Sequence, residues 1–289
     1  MKIRPLRGDD FDEVHRAFVE AFSDYVLPMQ PSAEALREMF TRRGWVPELS
    51  SGIFEDERMV AFTLNGFGGD GWGSRRSRCR SRSRRRGLAR QTMEHSIELL
   101  RGAGATRYVL EVLEPNVAAA ALYRSIGFVE TRRFDCWTFV PSPLSPLSGE
   151  RVRVRGESRA PGAPHPSPLP AERGEGTESW WDSQPSWQNS TASIARAMDP
   201  HVLLGDSDGY AILFPSTGDV PQLAVRRDAR RRGIGTRLVE TAAALAQKPL
   251  RFINVDARDA GIAALLDALG ARRFVRQIEM EFVIQTAPL

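Results

Sequence analysis

Two stretches of the sequence carry the same spacing of residues able to hold a phosphate. Arg84, Gly87 and Ala89 read R-x-x-G-x-A, and Arg230, Gly233 and Gly235 read R-x-x-G-x-G. Glycine lets the backbone come close to a ligand. The free N–H groups and dipole of a helix start attract an anion, and nearby arginines add charge-assisted hydrogen bonds. One such motif is a weak signal. Two are stronger, because each is followed by a helix, a strand and a second glycine-stopped helix at similar distances. Gly87 to Gly127 spans 40 residues and Gly233 to Gly270 spans 37.

The surrounding elements must present both turns. Residues 1–140 alternate strands and helices: a strand at "MKIRPL", a helix capped by Asp10 with Glu13 in the reciprocal position, and a second helix opened by Ser32 and stopped by Gly44. A hairpin follows around Asp56–Arg58, then the arginine stretch and "LARQTMEHSIELLRGAG", a helix. "TRYVLEVLE" is a strand and "NVAAAALYRSIGF" a helix. Residues 177–289 repeat the later part of that order, and "ESWWDSQPSWQNSTASIARAM" stands in for a shortened beginning. Between the two lies 141–176, with eight prolines and five glycines and almost no large apolar side chains. Such a composition reads as a linker. The fold class is therefore mixed α/β, in two tandem domains.

The chain has 289 residues and a formal net charge of +4. Eight arginines fall between Arg75 and Arg86, and without them the chain is net acidic. The basic character belongs to one segment, which makes nucleic-acid binding through Arg75–Arg86 the weaker reading. Two cysteines and four scattered histidines give neither a disulfide framework nor a metal-ligand spacing. No stretch is apolar enough to span a membrane, and the start lacks the core of a signal peptide. The expected location is the cytoplasm, with no metal cofactor and no membrane partner.

At the two turns the chain resembles the Gcn5-related N-acetyltransferase (GNAT) superfamily, in tandem. "RRRGLARQTMEHSIELL" and "LAVRRDARRRGIGTRLVETAAALA" are similar to its acetyl-CoA pyrophosphate loop and helix, and "LEVLEPNVAAAALYRSIGF" resembles its later motif. The resemblance implies two GNAT-like domains that pack within one chain, acetyl-CoA as cosubstrate in a splay between two central strands, and acetyl transfer to an amine. On the first motif it implies cofactor contacts at Arg84, Arg86, Gly87, Leu88, Ala89 and Asn116. On the second it implies contacts at Val225, Arg230, Arg232, Gly233, Ile234, Gly235 and Thr236. It further implies Glu111 as the base that takes the amine proton and Tyr123 as the acid that protonates the leaving thiolate. The second half, aligned on Gly270, has Asn254 and Leu266 at those two positions and Asp259 at that of Asn116. The chemistry is therefore expected in the first half.

One stretch departs from the resemblance. A central apolar strand should precede the first loop, and "GSRRSRCRSRS" stands there instead. Burying several unpaired guanidinium groups costs several kcal/mol each. The strand near 74–83 is expected to be missing, looped out or locally open, as after a DNA-level frameshift. A catalytically inactive tandem that binds or senses acyl-CoA is the alternative reading. Phe22, Tyr25, Pro28 and Trp45 lie where, by the resemblance, the fold builds its acceptor pocket, and read equally as core or loop anchors. Trp180, Trp181 and Trp187 read as packing anchors or a cage.

Overall fold

The computed structural model describes residues 1–25, 27, 29–67, 72–79, 86–141, 154–155 and 177–285. Along the first half run β1 (Lys2–Pro5), α1 (Phe11–Phe22), α2 (Ala33–Arg42), β2 (Ser51–Glu55), β3 (Arg58–Phe67), β4 (Trp72–Cys79), α3 (Leu88–Gly102), β5 (Arg107–Leu113), α4 (Val117–Ile126) and β6 (Val129–Phe139). The second half holds β7 (Val154–Arg155), the short α5 (Thr191–Ala195), β8 (Val202–Gly205), β9 (Gly209–Phe214), β10 (Asp219–Val225), α6 (Ile234–Leu245), β11 (Leu250–Asp256), α7 (Ala260–Ala268) and β12 (Arg272–Val283). The mixed α/β class is as expected.

The chain forms two compact units. The first comprises Met1–Arg132, Ala192–Met198 and Ile278–Leu289, the second Arg133–Thr191 and Asp199–Gln277. Both β6 and β12 are thus divided between the units. In the first unit the strand order is β1-β2-β3-β4-β5 followed by the end of β12. That end supplies Ile278, Met280 and Phe282 to a core holding Tyr108, Leu110, Tyr123 and Phe128. Met280 is fully buried there. Met280→Ala is expected to cost about 2–5 kcal/mol, read as a lower unfolding midpoint of the full chain. A 1–140 fragment lacks all three of these side chains.

Local chemistry accounts for most elements. In α1, Phe11, Val14, Phe18 and Phe22 form one buried stripe. The β2–β3 hairpin turns at Asp56 and Glu57, both left-handed with φ of 45° and 65°, as a two-residue turn matched to strand twist requires. The expected capping pair at α1 is absent. Asp10 makes no side-chain cap there. It is bound by both Arg4 Nη atoms at 2.7 Å and by the Arg7 N–H. Glu13 accepts from the Met59 N–H at 2.7 Å. The Arg4 pairing holds the Asp10 carboxyl below its ordinary value, ahead of the opposing effect of burial, and a charge-assisted fork outcompetes a single cap bond.

Residues 72–79 form a strand. It pairs antiparallel with β3 from Phe67↔Trp72 to Ala61↔Cys79. It also pairs parallel with β5 at Trp72↔Tyr108 and Gly73↔Val109. Residues 80–85, which complete the stretch expected to disturb the sheet, lie outside the described residues, as does nearly all of the 141–176 linker.

Candidate active site

Each unit builds the same local device. Gly87 and Gly233 stand at the N-caps of α3 and α6 in the left-handed conformation, with φ of 73° and 78°. Among the described residues, no side chain caps either helix. The first helical bonds run from Gln91 N–H to Gly87 and from Arg237 N–H to Gly233. The N–H groups of the residues between are therefore available at the helix start, where the dipole is positive. The second glycine of the later motif has another task. A Cβ on Gly235 would lie 2.9 Å from Leu265 Cδ2, so its lack of a side chain lets α6 meet α7.

The strands beside these helix starts part early. Parallel pairing of β4 with β5 covers two residue pairs. That of β10 with β11 is Asp219↔Arg251 alone. A register shift in β10 between Asp219 and Gln222 marks the bend, and another in β11 lies between Phe252 and Val255. Inside the second shift, Asn254 is left-handed at φ 61°.

In the second unit this geometry opens a cleft of about 470 Å³, lined by β10, β11, α6, α7 and the segment Trp180–Pro185. Val225, Arg230, Gly233, Ile234, Gly235 and Thr236 all line it, bringing together the expected contacts apart from Arg232. Arg230 is already occupied. Its guanidinium donates to Val225 O at 3.1 Å, to Asp182 Oδ2 at 2.7 Å and to Trp180 O at 2.8 Å. Asp259 caps α7 through the Ile262 N–H. Burial, more than any neighbour, raises its carboxyl above the ordinary aspartate range.

A buried polar chain crosses where the strands part. Trp181 Nε1 donates to the Tyr210 hydroxyl at 2.9 Å, which donates to Gln222 Oε1 at 3.2 Å. Gln222 Nε2 donates to Asn189 O at 2.8 Å, and Asn189 Nδ2 donates to Ile253 O at 2.6 Å. Burial holds the Tyr210 hydroxyl well above the usual tyrosine range, against the opposing Trp181 bond. Asn254 meets Ser186 and Gln277, and Leu266 is fully buried. The aromatic segment expected as an anchor or cage thus places Trp180 and Trp181 in the cleft wall.

In the first unit, Arg84 and Pro28 lie outside the described residues. Arg86 pairs with Glu55 at 2.9 Å, and Leu88 is buried beside Ile53, Val60 and Ala61, with Ala89 packed against them. Asn116 caps α4 through the Ala119 N–H, the counterpart of Asp259 on α7, and its Nδ2 reaches the Tyr25 hydroxyl at 3.4 Å. Phe22 and Trp45 belong to the α1–α2 core. Tyr123 is 7 % exposed and packs on Phe128. It shares a cluster with Tyr108, Leu110 and Val112. Side chains alternate along a strand, so Glu111 on β5 belongs to the opposite face of the sheet from Tyr123.

The pattern of the acetyltransferase (GNAT) family matches the chain twice, over residues 12–128 and 174–270. The chain belongs to the GNAT family. Three solved structures share the fold of this GNAT chain. A GCN5-related N-acetyltransferase from Sphaerobacter thermophilus superposes with a TM-score of 0.71 at 17% identity, covering 100% of this chain and 97% of that one. A putative acetyltransferase from Pyrococcus horikoshii gives 0.70 at 12%, covering 100% and 91%. A tandem GNAT protein from the clavulanic acid biosynthesis pathway gives 0.66 at 16%, covering 99% of each chain. No curated protein matches the sequence. Among the described residues of this GNAT chain, no helix is long and apolar enough to cross a membrane, and no cluster of His, Cys, Asp and Glu is suited to a metal ion.

Proposed function

We propose that the protein is an acetyl-CoA-dependent N-acetyltransferase acting on the primary amine of a small molecule or a protein N-terminus. The observation that carries this reading is the repeated device of an uncapped, glycine-led helix start beside two parallel strands that part after one or two residue pairs. The helix start suits a diphosphate. The parted strands leave backbone groups free to hold an extended arm and a thioester.

The first unit carries the chemistry. The amine nitrogen attacks the thioester carbonyl, an amide bond forms and the C–S bond breaks. Glu111 accepts the amine proton, directly or through water, and the Tyr123 hydroxyl protonates the departing thiolate. Glu111 lies on β5 and Tyr123 on α4, the two elements that follow α3. Asn116 and the α3 start hold the cosubstrate. In the second unit, Asn254 and Leu266 replace the pair, and neither titrates near neutral pH. That unit binds acyl-CoA without turning it over.

The test is transfer of labelled acetyl from acetyl-CoA to a panel of amines by the full chain. Turnover that survives Gly233→Asp and disappears with Gly87→Asp is the expected result. Turnover lost only with Gly233→Asp would move the chemistry to the second unit. The burial of Tyr123 favours one second reading, a tandem that binds acyl-CoA without catalysis. Coenzyme A binding with no turnover across the panel would select it.

A further inference from the structure

We propose that Asp182 is a built-in competitor for the phosphate end of the second unit's cleft, and that acyl-CoA must displace it from Arg230. The inference rests on the reading that this cleft takes acyl-CoA. The loop entering α6 is rich in arginine, yet its charges are largely spoken for. Arg226 pairs with Asp208 and Asp228 at 3.0 and 2.6 Å. Asp182 bridges Arg230 at 2.7 Å and Arg227 at 3.5 Å. Trp180 adds its carbonyl to the same Arg230 guanidinium at 2.8 Å.

The geometry therefore puts a carboxylate where a ligand phosphate would use the same guanidinium. A phosphate arriving beside Gly233 meets like charge from Asp182, with Asp259 on the same lining. Part of its binding energy goes into breaking the pair. Asp182 and Arg230 are 37% and 33% exposed. A contact this open to water is weak enough for a multiply charged ligand to exchange.

The segment that Asp182 anchors also leads inward. Trp181 holds the Tyr210 hydroxyl, Tyr210 holds Gln222, and Gln222 with Asn189 spans β10 and β11 where they part. The Trp180 ring lies against Tyr210 with centroids 6.2 Å apart. Releasing Asp182 frees one end of this chain. The contact couples phosphate binding at the helix start to the far end of the cleft, and tryptophan emission reports the coupling.

The test titrates the full chain with coenzyme A by calorimetry. The variants are Asp182→Asn, Asp182→Ser and Asp182→Glu, each with and without Gly233→Asp. The Gly233-dependent binding event is expected to tighten about tenfold with Asn and with Ser, and to stay near wild type with Glu. Coenzyme A is expected to shift tryptophan emission in the wild type, and less in Asp182→Asn, where the wall is already released. Binding that stays Gly233-dependent but is unchanged or weaker in Asp182→Asn and Asp182→Ser would make Asp182 a strut of the cleft and overturn the competitor. No Gly233-dependent binding in any background would overturn the cleft assignment and the competitor together.

Discussion

Gly233→Asp is expected to weaken coenzyme A binding by the second unit about a hundredfold, close to 2.7 kcal/mol, while leaving the unit folded. The space around Gly233 is open. Among the described residues, the only atom near an added Cβ is Arg237 Nη1, at 3.5 Å. The left-handed φ of 78° costs a non-glycine residue about 1–2 kcal/mol, least for Asn and Asp. The carboxylate recovers part of that cost as an N-cap acceptor and by facing the positive end of α6. What it stabilises in the empty protein it denies to the ligand. It takes the N–H groups that would bind phosphate and sets a negative charge against them. Gly233→Ala carries the strain without the charge, so its loss of affinity is expected to be the smaller. Calorimetry with coenzyme A beside the unfolding midpoint separates the two effects. A Gly233→Asp protein that titrates like wild type would show that phosphate is held elsewhere.

That helix start was legible in the sequence because its cause is local. A glycine before a helix, with no Ser, Thr, Asp or Asn to cap it, leaves N–H groups free wherever the fold places it. Asn116 and Asp259 each cap their own helix three residues on, an equally local cause, although the role expected at Asn116 is a cofactor contact. The α1 cap was misread because the competitor for Asp10 is Arg4, on β1. Local spacing offers Asp10 a backbone N–H, and tertiary structure offers it a guanidinium. Arg230 follows the same logic. The motif marks it as a phosphate ligand, and only the fold brings Asp182, 48 residues away, against it.

The sharing of β6 and β12 between units had no local signature at all. Alternation along "RFVRQIEMEFVI" puts Ile278, Met280 and Phe282 on one face, and Ile278 and Met280 are buried. It does not say which neighbours bury them. Backbone pairing depends little on side chains, which is also why 72–79 can form a strand despite its arginines. The desolvation argument concerns the side chains. It bears on stability more than on whether main-chain bonds to β3 can be made.

Tyr123→Phe carries the other large effect. It is expected to lower kcat for acetyl transfer about a hundredfold, the low end of what a positioned acid supplies, with little change in KM for acetyl-CoA. The ring is 7 % exposed and packs on Phe128, so phenylalanine keeps the packing and removes only the hydroxyl. A thiolate that leaves without a proton is a poorer leaving group, and binding of the cosubstrate does not depend on that proton. Glu111→Gln acts on the other face. Without that carboxylate only amine already deprotonated in solution can attack, so the glutamine variant is expected to be slower than wild type and to gain rate as pH rises. Steady-state kinetics across pH with the best amine of the panel reads both. If Tyr123→Phe keeps kcat within about twofold, the hydroxyl is a core group and protonation of the thiolate falls to water or to another side chain, since an acid in that position cannot be removed at so small a cost.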